Sequence, residues 1–309
     1  MSLSLRTAIP RPALFPAVAG LPRCAGRLCP RPPSLWQRWW ARNEGTRMEG
    51  NWYCSPDCLH DGLLHQLDSI LARRPHPASP NRLPLGLVLL SQGAITHQQL
   101  RQALELQRQT GGRKIGEWLV ELGAVSETQV TAALAAQQGC PLFTLQEPRP
   151  LPAALHWPLA LTDSYQAAPL LHSAPQLTLY VGFRERVSHV FLRAAEHILH
   201  CVTQPCIVPP QVFRLHRERA LATAASQDTI VIQQPQSAFE MAETIVNYAE
   251  QVKARRCAVT LCEQRLWARV GVGEEHIDFL FRPRPNDMGG WLEDLILSPG
   301  EPATATREL

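Results

Sequence analysis

The sequence predicts an α+β protein: a helical domain made from a tandem pseudo-repeat, small α/β domains, and a cysteine-rich, zinc-ribbon-like head at the N-terminus. Three observations support this fold class. One unit occurs twice in succession, at 85–107 and 115–137; two cysteine pairs precede it; and strand-like and helix-like runs alternate after it. A chain of 309 residues exceeds the usual size of one domain, so several modules are expected.

The N-terminal head, predicted at 1–71, is rich in arginine and carries two spaced pairs of cysteines. Tetrahedral Zn²⁺ is satisfied by two such pairs brought together, so they predict a four-thiolate zinc site. A short strand at 51–53 and a helix that begins near 55–57 are expected around the second pair. The alternative is cysteines without metal in a poorly ordered arm. The predicted zinc ligands are Cys24, Cys29, Cys54 and Cys58.

Three tryptophans, Trp36, Trp39 and Trp40, lie among arginines between the cysteine pairs. Aromatic and arginine side chains in alternation can stack on nucleic-acid bases. They can also pack a small metal-supported core and form a surface for a protein partner. We favour the second interpretation, because no further basic motif accompanies them, and nucleic acid is not the expected partner.

A proline-rich linker is predicted at 72–84, and the tandem domain follows at 85–148. Each unit is predicted as a short helix, a glycine stop and a longer helix. Gly93 and Gly123 fall just after an apolar turn, where glycine adopts positive φ at little cost. The longer helices are each expected to begin with a capping box. Neither unit could bury its apolar face alone, so the two are expected to pack pseudo-symmetrically.

The repeated pattern, Leu-Gly or Ile-Gly, then Gly-Ala and a helix that carries Ala-Leu and ends near glutamine, resembles the N-terminal domain of type II secretion and type IV pilus assembly ATPases. That family is the general secretory pathway protein E N-terminal domain, of the MshEN type. Some of its members bind the bacterial second messenger cyclic di-GMP. The resemblance therefore implies cyclic di-GMP as a ligand, and a secretion or pilus assembly ATPase or a platform protein as the partner.

A ligand site on the tandem is plausible on physical grounds. Glycines let the backbone approach a bulky ligand, leucines offer apolar surface to guanine, and arginine suits phosphates and guanine edges. The alternative is that the leucines are core, the glycines helix caps and the glutamines surface. The predicted ligand-binding residues are Arg82, Leu85, Gly86, Leu89, Gly93, Leu100, Leu104, Gln107, Arg113, Ile115, Gly116, Leu119, Gly123, Val130, Leu134 and Gln137.

Two α/β segments are predicted after the tandem, at 159–218 and 226–283, followed by a disordered tail at 284–309. The first is expected to hold a hairpin and a helix. The second is expected to hold a strand, an amphipathic helix whose apolar face includes Phe239, and an antiparallel meander. Four further cysteines are expected to be core thiols rather than a second metal site: Cys201, Cys206, Cys257 and Cys262.

No catalytic motif is apparent in the sequence. The phosphate-binding pattern G-x-x-x-x-G-K-[ST] is absent, and the run at 111–114 lacks both its spacing and its hydroxyl. We therefore predict a non-enzymatic regulatory or adaptor protein of a secretion or pilus system. The alternative is a zinc-ribbon nucleic-acid-binding regulator that uses the tandem as a dimerisation module.

The expected location is the cytoplasm. No apolar run approaches the length of a membrane span, and Pro10, Pro12 and Pro16 would interrupt the core of a signal peptide. In the cytoplasm, nine cysteines are expected to be thiols or metal ligands rather than disulfides.

Overall fold

The computed structural model describes residues 23–27, 29, 45–72, 82–144, 151–152, 155, 157–224, 229–233, 237–272 and 275–282. Over these residues the chain is α+β, as the sequence predicted. The tryptophans at 36–40 and the tail at 284–309 lie outside the described residues. Within the described part of the chain, the helices are too short or too polar to cross a bilayer.

The head contributes a small hairpin and one long helix: β1 (Thr46–Met48), β2 (Asn51–Tyr53) and α1 (Pro56–Leu71). Ser55 caps α1, because its hydroxyl accepts the backbone N–H of Cys58 at 3.3 Å. The strand and the helix predicted around the second cysteine pair are therefore confirmed.

The tandem contains four helices, two in each unit: α2 (Leu85–Ser91), α3 (His97–Thr110), α4 (Ile115–Glu121) and α5 (Glu127–Gln138). Both capping boxes are present, at Thr96 with Gln99 and at Ser126 with Gln129. Gly93 has a φ of 68° and Gly123 a φ of 66°, in the left-handed region that ends a helix. The predicted order of short helix, glycine stop and long helix is thus confirmed in both units.

The two units share one core, built from matching positions of both. Contacts run crosswise, from α3 to α4 and from α5 to α2, so each long helix packs on the short helix of the other unit. The buried members of this core are Val88, Leu89, Ile95, Ala103, Trp118, Leu119, Val125 and Ala133.

The middle module is a three-stranded sheet with helices around it. Its elements are α6 (Leu159–Tyr165), β3 (Ala167–Ser173), β4 (Thr178–Phe183), α7 (His189–Leu199), β5 (Val202–Ile207) and α8 (Pro210–Ala224). The predicted hairpin is β3 and β4, and β5 joins β4 in parallel. The sequence did not predict α6 or α8. Residues 141–143 add to the edge of β5, which joins the end of the tandem to this sheet.

The last module completes a six-stranded sheet. Its elements are β6 (Thr229–Gln233), α9 (Ala238–Gln251), β7 (Arg256–Cys262), β8 (Arg265–Val272) and β9 (Glu275–Arg282). The strand order is β2-β1-β7-β8-β9-β6. The predicted antiparallel meander is β7 to β9, while β6 lies parallel to β9 and β1 lies parallel to β7.

The head and the last module form one structural unit, although the sequence suggested two separate segments. One face of the six-stranded sheet is covered by α1 and α9, whose apolar side chains share a single core. The other face packs on α7 and the middle module. The pairing of β1 with β7 joins residues about 200 positions apart, which a local pattern cannot reveal.

The predictions for the four buried cysteines and for Phe239 have different outcomes. Cys257 and Cys262 are buried on opposite faces of the sheet, and Cys201 and Cys206 are also buried, as expected for core thiols. The placement of Phe239 on the apolar face of its helix is wrong, because the side chain is 56% exposed. Phe239 lies in the first turn of α9, where its ring packs edge-on against His60 of α1 at the margin of the core.

Candidate functional site

The four head cysteines converge into one cluster. Their sulfur atoms all lie within 4.8 Å of one another. The Sγ atoms of Cys29 and Cys54 are 3.6 Å apart, and those of Cys54 and Cys58 are 3.9 Å apart. A tetrahedral metal about 2.3 Å from each of four thiolates separates the sulfurs by about 3.8 Å. The cluster therefore has the dimensions of a four-thiolate metal site.

Backbone amides around the cluster also fit a metal site. Cys24 Sγ accepts the backbone N–H of Gly26 at 3.5 Å and that of Cys54 at 3.4 Å. Hydrogen bonds of this kind orient a ligating sulfur and stabilise its negative charge. Burial raises the pKa of both the Cys54 and Cys58 thiols, so an additional positive charge is needed to hold them as thiolates.

The short segment that carries the first pair is attached to α1 by polar contacts. The backbone N–H of Arg27 donates to Asp61 at 3.1 Å, and its guanidinium lies 3.0 Å from His65 Nε2. Cys24 also forms an isolated bridge with Trp52 of β2. These contacts bring 23–29 beside 54–58 and so assemble the cluster from two distant stretches of sequence.

The second candidate site is on the tandem, where two glutamines occupy equivalent positions. Gln107 donates its side-chain amide to the carbonyl of Arg113 at 2.9 Å. Gln137 donates to the carbonyl of Leu83 at 2.6 Å. Each glutamine lies in the last turn of a long helix and fixes the backbone just before a short helix. The contact of Gln137 reaches back to the first unit and closes the pseudo-symmetric arrangement.

The two predicted arginines lie just before the short helices and have different partners. Arg113 forms an ion pair with Glu121 and lies over the ring of Trp118, 5.3 Å from its centroid. Arg82 donates to the side-chain oxygen of Gln138. Since both guanidinium groups already have partners, an anionic ligand would have to compete for them.

The predicted apolar and glycine positions divide into buried and accessible groups. Leu89 and Leu119 have no exposed surface and belong to the tandem core. A Cβ on Gly86 would lie 2.6 Å from Leu100, and one on Gly116 would lie 3.0 Å from Val130. These glycines therefore allow close packing between helices. The residues left at least partly accessible are Arg82, Leu85, Gly93, Leu100, Leu104, Gln107, Arg113, Ile115, Gly123, Val130, Leu134 and Gln137.

Sequence reasoning missed a junction between the tandem and the middle module. Gln138 accepts both from Arg82 and from the backbone N–H of Val187, the latter at 3.2 Å. Lys114 forms an ion pair with Glu185, two residues before Val187. The loop at 184–188 thus contacts the tandem beside each predicted arginine. One feature of the sequence could have indicated this junction. Gln138 occupies the position equivalent to Arg108 of the first unit, so the repeat is broken there.

Trp118 is a second residue that the repeat alone did not single out. It replaces Val88 of the first unit and is buried, and its indole N–H has no acceptor among the described residues. A buried donor without a partner is costly, so this group is a polar contact available to a ligand that reaches the Arg113 side of the tandem.

No protein-family profile matches the chain, and no curated protein matches it. Among solved structures, MshE with cdg is 25% identical, over 45% of this chain and 99% of that chain, with a TM-score of 0.38. The N-terminal domain of XpsE is 17% identical, over 44% of this chain and 92% of that chain, with a TM-score of 0.32. These are proteins to which part of the chain is similar.

Proposed function

We propose that this protein is a non-enzymatic regulator or adaptor of a type II secretion or type IV pilus-like system, and that its tandem binds cyclic di-GMP. The observation that supports it best is the arrangement of the tandem. Equivalent glutamines fix the two loops that carry Arg82 and Arg113, so that two arginines stand before two equivalent short helices. A ligand with two phosphates and two guanines matches a site with two similar halves.

In this proposal each arginine exchanges its present partner for the ligand. Arg113 leaves Glu121 for a phosphate, while the buried indole of Trp118 remains beside it with a free N–H. Arg82 leaves Gln138 in the same way. Leu100, Leu104, Val130 and Leu134 supply the partly accessible apolar surface for the guanine faces.

Ligand binding would then be transmitted to the middle module. When Arg82 turns to a phosphate, the Gln138 oxygen keeps only the N–H of Val187. Lys114, next to Arg113, holds Glu185 of the same loop. The loop at 184–188 therefore senses both halves of the site. It also reaches the six-stranded sheet, since Ser188 donates to Glu263 at 2.6 Å.

The head cluster is proposed to hold one zinc ion in a structural site. Four thiolates leave no open position for a substrate, which is the pattern of a structural rather than a catalytic zinc. Zinc would join the 23–29 segment to the start of α1, whose apolar face is part of the shared core. The partner is proposed to be the assembly ATPase or a platform protein of the secretion or pilus system.

Isothermal titration calorimetry with cyclic di-GMP tests the proposed ligand. The expected result is saturable binding by the full chain, and at least about a tenfold loss of affinity in Arg82→Ala and in Arg113→Ala, as expected for charge-assisted contacts to phosphate. Gln107→Ala should weaken binding less, since it acts through the loop. Arg193→Ala, an exposed arginine on α7, is the matched control. The absence of heat at high micromolar ligand would leave the tandem as a docking module only.

A second candidate function is nucleic-acid binding, and one observation favours it. Arg47 of β1 and Arg256 of β7 are direct neighbours in the sheet, and Lys253 and Arg255 lie beside them; all four are exposed. Such a cluster can contact phosphates, and its binding would weaken steeply with salt. Retention on heparin that is lost in Arg47→Glu plus Arg256→Glu, together with no heat from cyclic di-GMP, would favour this function over the first.

A further inference from the structure

The edge strand β6 is the starting point for a further inference. Among the described strands, β6 pairs only with β9, and it does so in parallel. Alternate residues of a strand in a parallel pair direct their N–H and C=O groups away from the partner, so β6 has outward-facing groups that no described strand pairs with. Its sequence, Thr-Ile-Val-Ile-Gln, has no lysine or proline to prevent pairing with another strand.

A shallow recess lies beside this edge, on the face of the sheet opposite α1 and α9. It is lined by Val231, Arg265, Leu280, Phe281 and Arg282. Val231 pairs in register with Leu280, so their side chains share a face. Val231 is 49% exposed, whereas Leu280 is buried below it. The recess therefore offers an apolar position next to unpaired backbone.

The two arginines of the recess give this edge a positive charge. Neither the Arg265 nor the Arg282 guanidinium forms a hydrogen bond or an ion pair with another described residue. The acidic residues nearest to them in sequence have other partners. Glu263 accepts from Ser188, and the buried Asp278 forms an ion pair with Arg269. A ligand that carries carboxylates would supply the missing partners.

We propose that β6 binds an extended segment of a partner protein that carries acidic side chains, which would add to the sheet as a further strand. The main-chain groups of β6 would pair with that segment, Val231 would contact its apolar side chains, and Arg282 would bind a carboxylate, with Arg265 adding to the positive charge of the recess. This surface is separate from the tandem and does not depend on cyclic di-GMP.

Charge and shape favour a partner strand over two other occupants. A second copy of this chain, paired edge to edge through β6, would bring the same arginines towards each other. Nucleic acid would find no exposed aromatic ring in the recess, because Phe281, the aromatic residue that lines it, is 1% exposed. An acidic strand from a different protein satisfies both the arginines and the open backbone.

Fluorescence anisotropy on the full chain tests the proposal. The probe is a fluorescein-labelled heptapeptide, Glu-Thr-Val-Thr-Glu-Thr-Val, whose valines and glutamates lie on the same face of an extended strand. The expected result is saturable binding that weakens with salt, and at least about a tenfold loss of affinity in Val231→Lys and in Arg282→Glu, in line with the loss of central contacts. The same heptapeptide with lysine in place of each glutamate should not bind.

Matched variants separate this surface from general effects. Val202→Lys changes an exposed valine at the start of β5, and Arg193→Glu changes an exposed arginine on α7. Both should bind the valine–glutamate peptide like the wild type. Thermal unfolding of each variant confirms that the fold is retained, as expected for exposed positions.

Several results would overturn the proposal. One is the absence of saturable peptide binding, and another is wild-type affinity in both Val231→Lys and Arg282→Glu. Binding of labelled oligothymidine in place of the peptide would show that the arginines bind nucleic-acid phosphates. Self-association of the wild type that Val231→Lys abolishes would show that β6 pairs with a second copy of this chain. Glu293 and Asp294 are acidic residues of the tail at 284–309. Tighter peptide binding when both are changed to lysine would show that this tail, rather than a partner protein, occupies the edge of β6.

Discussion

Asp278 and Arg269 form a buried ion pair whose groups are fully hydrogen-bonded. Arg269 donates to both carboxylate oxygens of Asp278 at 2.8 Å, and the indole of Trp267 donates to one of them at 2.8 Å. Arg269 also reaches the carbonyl of Leu155 at 3.4 Å, and so links β8 to the middle module. Removing one member leaves the other charge buried without its partner.

We therefore expect Asp278→Ala to lower the free energy of unfolding by about 3–5 kcal/mol. The matched control is Asp163→Ala, which breaks the exposed pair with Arg217 and should cost at most about 1 kcal/mol. Urea denaturation followed by circular dichroism measures both. Equal losses in the two variants would show that the buried pair contributes nothing beyond a surface contact.

His197 and His200, at the end of α7, have opposite pKa shifts. A hydrogen bond to Glu49 raises the pKa of His197, although its burial acts in the other direction. Burial lowers the pKa of His200, and the nearby cationic groups act in the same direction. A histidine with a raised pKa stabilises the fold fully below its unfolded-state pKa of about 6.5, and this contribution is lost as the pH rises through the folded value.

His197→Gln should therefore lower the free energy of unfolding at about pH 5.5, and should have a smaller effect at about pH 8.5, where less of the native imidazole is protonated. His200→Gln should have the opposite dependence, because neutral His200 is favoured in the folded state and its protonation below about pH 6.5 opposes folding. Urea denaturation at the two pH values measures both. The same pH dependence in both variants would contradict the assigned shifts.

At the level of secondary-structure elements, local signals determined how much could be predicted. The tandem helices were predicted because their ends are encoded locally, by Gly93, Gly123 and two capping boxes. The strand β1 was not, since its parallel partner β7 lies far along the chain and no local signal marks it. The cysteine cluster was found from spacing, whereas the contact of Gln138 with Val187 exists only in the folded chain.

The head cluster connects β2 to α1, so its metal should stabilise both elements. We expect about one zinc per chain by elemental analysis, and its loss in Cys54→Ser plus Cys58→Ser. Cys140→Ser, which lies outside the cluster, is the control and should retain the metal. Unchanged zinc content in the double variant would exclude these four cysteines as the site.

Loss of the metal should also affect the last module. The apolar side of α1 and the strands β7 to β9 share one core, so release of the 23–29 segment should destabilise the whole six-stranded sheet. We expect the double cysteine variant to have a lower melting temperature than the wild type. An unchanged melting temperature would show that the cluster is not needed for this core.

On the scale of the whole molecule, one loop contacts the tandem, the middle module and the six-stranded sheet. Residues 184–188 contact Gln138 and Lys114 of the tandem, Gln166 at the end of α6, and Glu263 of the β7–β8 turn. A change in the contacts of Arg82 or Arg113 is therefore transmitted to the six-stranded sheet through the few residues of this loop. This arrangement is what a ligand-responsive adaptor requires, since it links a binding site to distant surfaces.

Hydrogen exchange of the full chain, with and without saturating cyclic di-GMP, tests this account most directly. We predict slower amide exchange at 82–86 and 113–117, where the ligand would bind, and an altered rate at 184–188, where the tandem contacts the middle module. The Arg82→Ala plus Arg113→Ala variant should show neither change. Identical exchange of the wild type with and without the ligand would contradict the central claim that the tandem is a cyclic di-GMP sensor.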